Sequence, residues 1–170
     1  MTAAPTLDVM PGDADVAAQY LTFQLDGETS ATSILGIREI IQYRAPTPVP
    51  SMPDCVRGVI NLRGAVVPVV DLQSRLGRAD STIGKRSCIV ILATEQAQGT
   101  QVIGVLVDAV NAVIELADQD IEAAPSFGTH IRRDLLRGMG KVGERFVVLL
   151  EMEQVLQADQ IAGNTDALAV

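Results

Sequence analysis

Arg63 is the side chain whose type and setting best suit recognition chemistry. It ends the run Gly58-Val59-Ile60-Asn61-Leu62-Arg63, and Gly64 leads straight on into Ala65-Val66-Val67-Pro68-Val69-Val70-Asp71-Leu72. Gly58 and Gly64 flank an apolar, strand-like stretch, and glycine reaches backbone angles closed to other residues, so the turn at Gly64 can be tight. A guanidinium at such a corner stands on rigid backbone and points outward. It offers a planar set of five donors to a partner's carboxylate or carbonyl. The plainer role for the same side chain is a surface ion pair that contributes little.

Acid–base catalysis has weaker candidates. The lone histidine, His130, falls in a loop-like stretch without a recognisable partner motif. Asp71 and Asp108 are the carboxylates that a paired mechanism would need, but Asp71 reads as a helix cap and Asp108 as a strand-end hydrogen-bonding residue. No phosphate-binding glycine loop, H-E-x-x-H zinc motif or G-x-S-x-G nucleophile turn occurs. Cys55 and Cys88 are too few and too far apart for a metal site or a disulfide framework, and are expected to be reduced, partly buried thiols. The sequence therefore supports no catalytic site, metal or cofactor.

The elements that must hold Arg63 follow from the same stretch. Pro68 lacks a donor and marks an edge strand or bulge. Asp71 is placed to cap one turn of helix through Leu72–Leu76, which Gly77 ends in a left-handed conformation. The unit is strand, turn, strand, short helix. Upstream, Leu21, Phe23 and Leu25 alternate with polar positions as in a half-buried strand, and Asp26-Gly27 signals a turn into a hairpin partner read as Glu28 to Ile41. Pro46, Pro48, Pro50 and Pro53 make residues 45–53 an extended connector. Downstream, strands are expected at Ser87–Ala93, Gln101–Val107, Ala109–Leu116, Leu136–Val142 and Arg145–Leu150, with a turn at Gly143-Glu144 and a C-terminal helix over Glu151–Gln157. A loop over 117–134 carries Pro125, His130 and the pair Arg132-Arg133. Many short strands with little helix point to small closed barrels, which remove exposed sheet edges.

Composition narrows the partners. The 170 residues are 48% hydrophobic, ample for one substantial core or two small fused ones. The net charge is −8, and Asp8, Asp13, Asp15, Asp159 and Asp166 supply five acidic charges within 1–17 and 158–170, which hold no basic residue. Both segments lack apolar periodicity and are expected to be flexible tails around an ordered domain at 18–157. An acidic balance and 3% aromatic content disfavour nucleic acid and anionic lipid. No leader pattern and no run of about 18 apolar residues occurs, so a cytoplasmic protein without membrane insertion is expected.

The ordered motifs resemble the CheW family of bacterial chemotaxis coupling proteins. The resemblance runs through Gln19-Tyr20-Leu21-Thr22-Phe23, Ile37-Arg38-Glu39-Ile40-Ile41 and Pro50-Ser51-Met52-Pro53, and it peaks from Gly58 to Leu72. It continues through Val102–Val110 and Gln119–Pro125, covering roughly residues 19–157. It implies a mainly β fold of two small SH3-like five-stranded β-barrels packed together, with short helices. It also implies a non-catalytic adaptor linking methyl-accepting chemoreceptors, through their cytoplasmic hairpin tips, to the regulatory domain of the histidine kinase CheA. Such a protein is cytoplasmic and recruited to membrane-associated receptor arrays, and at this length is expected to carry no receiver domain. Carried over by motif, the receptor-binding positions are Ile37, Glu39, Gly58 and Arg63, with Cys88 and Val113 added by looser alignment. Ile37 would be an apolar anchor, Gly58 would allow close backbone approach, and Glu39 and Arg63 would orient the partner or each other.

Two departures stand out. Ser30 and Thr32 occupy positions where the family usually has an aromatic and an aliphatic residue, so the first hairpin is expected to pack less well. Gln73 replaces a common arginine and removes one potential salt bridge. Two other functional classes remain at this level: a small-ligand sensor using the cleft between the barrels, and an enzyme built on His130, Asp71 and Asp108.

Overall fold

A computed structural model describes residues 17–97, 99–123 and 135–157. The alternation of Leu21, Phe23 and Leu25 builds β1 (Ala17–Leu25), and the turn at Asp26-Gly27, both with positive φ, returns it as β2 (Glu28–Ser33). The stretch expected as one hairpin partner, Glu28 to Ile41, forms two strands instead. Gly36 has φ +91°, its carbonyl accepts from the Ala93 amide at 2.8 Å, and β3 (Ile37–Gln42) leaves for a different sheet. The chain cannot stay extended through that left-handed residue, so one apolar run serves two layers.

The predicted strand–turn–strand–helix unit is β4 (Val56–Leu62), β5 (Ala65–Asp71) and α1 (Leu72–Arg75), with Gly77 at φ +88° just beyond. β6 (Cys88–Gln96) and β7 (Gly99–Val107) form one long hairpin, extending the expected strands into the polar tip, where Glu95 faces Thr100. β8 (Ala109–Ala117) is followed by a single 3-10 turn at Asp118–Asp120 and by β9 (Ile121–Glu122). β10 (Leu136–Val142) and β11 (Arg145–Leu150) fall where the alternation puts them. The C-terminal helix, expected over Glu151–Gln157, is a single turn, α2 (Met152–Val155). The proposed tails lie outside the described residues, except Ala17, which opens β1. His130 with Pro125 and the Arg132-Arg133 pair also lies outside them.

The strands make two sheets, β8-β1-β2-β11-β10-β9 and β3-β6-β7-β5-β4. The second has the five strands expected of a small SH3-like unit, while the first gains a sixth in two-residue β9. The whole β3–β7 half is inserted between β2 and β8. Ser30 and Thr32, expected to weaken their hairpin, are buried, and β2 lies inside its sheet between β1 and β11. Pro68 also sits in an interior strand. Its missing donor is tolerated because β5 pairs with β7 only from Val69 to Asp71, leaving the proline's side of the strand open.

Side chains of one strand alternate between two cores, which explains the unbroken apolar run Ile89–Leu92. Ile89 and Ile91 pack with Ile60, Val67, Val69 and Leu106 inside the five-stranded half. Val90 and Leu92 instead join Leu21, Phe23, Leu25, Leu72 and Val155 in a cluster shared by both halves. Polar ties reinforce that seam. Arg75 Nε donates to the Val155 carbonyl at 2.8 Å, Gln96 Nε2 to the Leu156 carbonyl at 3.0 Å, and Arg78 pairs with Asp26 and Glu28 on the β1–β2 turn.

Candidate functional site

The turn between β4 and β5 is two residues long. Arg63 and Gly64 both have positive φ, +53° and +87°, while Leu62 pairs with Ala65 on either side. Two left-handed residues match the right-handed twist of the flanking strands, which makes the hairpin tight. The Asn61 side chain accepts from the Gly64 amide at 2.8 Å, closing the turn from within the motif.

From this corner the Arg63 guanidinium reaches Glu39 on β3. Nη2 donates to Oε1 at 3.0 Å and Nη1 to Oε2, a bidentate fork onto one carboxylate. β3 and β4 are the two ends of the five-stranded order, so the pair spans edges that the curled sheet brings together. The same closure is made by backbone, with Thr47 and Val59 exchanging hydrogen bonds of 2.8 and 2.9 Å. The hydrogen bond from Arg63 holds the Glu39 carboxyl below its ordinary value against a smaller opposing effect of burial, and Glu39 raises Arg63 in return. The Arg63 side chain is 74% exposed, so the pair is available to a partner.

Beside it opens a cavity of about 550 Å³ lined by Glu39, Arg63, Leu62, Val66, Pro68 and Val102. Val66 is 73% exposed, an apolar side chain held outward directly after the turn. It escaped the motif reading, although its place after Arg63-Gly64 in a strand with inward Val67 was a legible signal. Charged rim and apolar wall together suit a protein surface better than a small polar ligand.

The other sequence candidates fall elsewhere. Gly58 has φ +145°, and a side chain there would collide with the Thr47 carbonyl oxygen, so its bareness lets the connector cross β4. Ile37 and Cys88 are half-buried against the cluster shared by the two halves, at opposite ends of the β3–β6 pairing. Val113 is 52% exposed on β8, opposite Leu21 in the other sheet. The structure thus joins Glu39 with Arg63 and leaves the remaining four positions distributed over both halves.

The carboxylates weighed for catalysis are engaged in the fold. Asp71, fully buried, accepts from Arg57 Nε at 3.1 Å, the Ser81 amide at 2.9 Å and the Ser81 hydroxyl at 2.6 Å. It also receives the Ser74 amide at 3.4 Å as the cap of α1. Asp108 accepts the Asp26 amide at 2.9 Å and so braces the β1–β2 turn. Cys55 and Cys88 are free thiols, and burial pushes the Cys55 thiol above its ordinary value. Among the described residues no three His, Cys, Asp or Glu side chains are grouped to hold a metal ion, and no helix is long and apolar enough to cross a membrane. A cavity of about 740 Å³ is lined by β1, β2, β8, β10 and β11, entirely from the six-stranded half and the turns joining its strands.

A family model described as the CheW-like domain matches residues 19–160. The chain is 30% identical over 162 residues to the chemotaxis protein CheW of Klebsiella aerogenes, covering 95% of each. It is 32% identical over 142 residues to the chemotaxis protein CheW of Rhizobium meliloti, covering 84% of this chain and 89% of that one. The crystal structure of the scaffolding protein TtCheW from Thermoanaerobacter tengcongensis superposes with a TM-score of 0.73 at 27% identity, over 85% of this chain and 95% of the other.

Proposed function

We infer function from one premise, that the chain belongs to the CheW family: it is a chemotaxis adaptor. Its partners are methyl-accepting chemoreceptors, held at their cytoplasmic tips, and the regulatory domain of the histidine kinase CheA, and it works without catalysis. The observation that supports a docking role most directly is the exposed Glu39–Arg63 fork beside an outward apolar wall. Asp71, bound by backbone and side-chain donors, and Asp108, which accepts the Asp26 amide, suit structural duties instead. We take Ile37, Gly58, Cys88 and Val113 as further receptor-binding positions, with residues 18–157 as the adaptor domain, recruited from the cytoplasm to receptor arrays.

An adaptor transmits a signal only when the receptor's states differ in their contacts with it, and many weak contacts in an array add through multivalency. Co-sedimentation with receptor-containing membranes, with and without CheA, tests this. Wild type is expected in the pellet and Arg63→Ala in the supernatant. Wild type that stays soluble with every receptor and kinase tried overturns the reading, and thermal stabilisation by a soluble ligand alone would then favour a sensor.

A further inference from the structure

Two residues outside the proposed receptor-binding set surround the turn that carries Arg63. Asn61 is used at both of its ends. Its carboxamide oxygen receives the Gly64 amide at 2.8 Å, and its backbone carbonyl receives Arg44 Nη2 at 3.0 Å. The first of these bonds spans Arg63, a non-glycine residue at φ +53° in the left-handed region. A long arginine left on a loose turn samples many rotamers, and fixing the base of the side chain reduces the ordering cost of a bidentate contact. Arg44 also lies near enough to Glu39 to act on its carboxylate through space.

We propose that Asn61 and Arg44 are positioning residues for the docking pair: Asn61 locks the two-residue turn, Arg44 holds that residue from the far side, and together they aim the Arg63 guanidinium at Glu39. The proposal names what the asparagine of the Asn61-Leu62-Arg63-Gly64 motif does. It rests on the docking reading for its biological use, but its geometry is testable without any partner.

The test uses the full chain and side-chain NMR. Wild-type Glu39 is expected to titrate below the ordinary glutamate range. In Asn61→Ala the Gly64 amide loses protection from hydrogen exchange and the Glu39 midpoint moves up toward the ordinary range, at a near-wild-type melting temperature. Asn61→Asp, which keeps an acceptor at the same place, restores protection of the Gly64 amide. If Asn61→Ala does not fold, Arg44→Lys keeps a positive charge near Glu39 while removing the guanidinium contact with the Asn61 carbonyl, and is expected to raise the Glu39 midpoint as well. A Glu39 midpoint unmoved in the folded variants overturns the proposal. Receptor co-sedimentation separates the two readings: a wild type with a low Glu39 midpoint that still ignores receptor membranes refutes docking and leaves the positioning role standing.

Discussion

Strand β4 carries an arginine–carboxylate pair near each end, and the two have opposite characters. At its start Arg57 meets Asp71, which is fully buried and also bound by Ser81 and the α1 backbone. At its end Arg63 meets Glu39 in an exposed fork, and among the described residues no other side chain or amide donates to that carboxylate. Burial decides what each pair does. A buried carboxylate deprived of its partners leaves uncompensated polar groups in the interior, whereas an exposed pair is solvated whether or not it forms. The first pair is therefore part of the fold, and the second can form or part at little cost to it.

The sharpest way to break that contrast is Asp71→Ala. It removes the acceptor of Arg57 Nε, the Ser81 amide and the α1 cap together, and should cost about 3–5 kcal/mol in denaturant unfolding. Next comes Gly58→Ala, whose new methyl meets the Thr47 backbone carbonyl at a left-handed φ. About 2–3 kcal/mol is expected, read as a lowered unfolding midpoint. At the exposed end, Glu39→Ala and Arg63→Ala should leave the unfolding midpoint within scatter of wild type while reducing receptor co-sedimentation. A loss of stability matching that of Asp71→Ala would erase the distinction between the two ends. The smallest effect is on pH. The Glu39 carboxyl is held low in the folded chain, so its contribution is complete above the ordinary glutamate range and fades as pH falls through the depressed value. Receptor binding is expected to hold steady from neutral pH down through that range and to weaken only below it, as titration of the co-sedimented fraction can check.

Much of this was legible in the residues. The alternation of Leu21, Phe23 and Leu25, the turn at Arg63-Gly64, the cap at Asp71 and the hairpin at Gly143-Glu144 are local signals, and local backbone chemistry honours them. What the sequence concealed is non-local. Gly36 splitting one apolar stretch between two sheets depends on the hydrogen bond to Ala93, more than fifty residues away. Ser30 and Thr32 are polar by type, yet they are buried in a strand flanked by β1 and β11, a position their composition does not announce. For the site, Arg63 was visible because a turn must display it. Its meeting with Glu39 was offered only by the family resemblance, as one of two alternatives, and not by the residues themselves, since β3 and β4 come together only when the sheet curls and Arg44 and Thr47 close over the gap.

The insertion of β3–β7 between β2 and β8 also sets an order of assembly. During synthesis the N-terminal hairpin emerges first but lacks its neighbours: Ser30 pairs with Val148, and β1 awaits β8. The inserted half needs only residues up to Val107 to complete its own hydrogen-bonded order, and its contacts are nearer in sequence, which favours earlier folding. It can therefore be in place, with Val90 and Leu92 presented on its surface, before β11 leaves the ribosome. The strands that open the chain are thus expected to be among the last to be secured, with the half bearing the Glu39–Arg63 fork as the template on which the other is built.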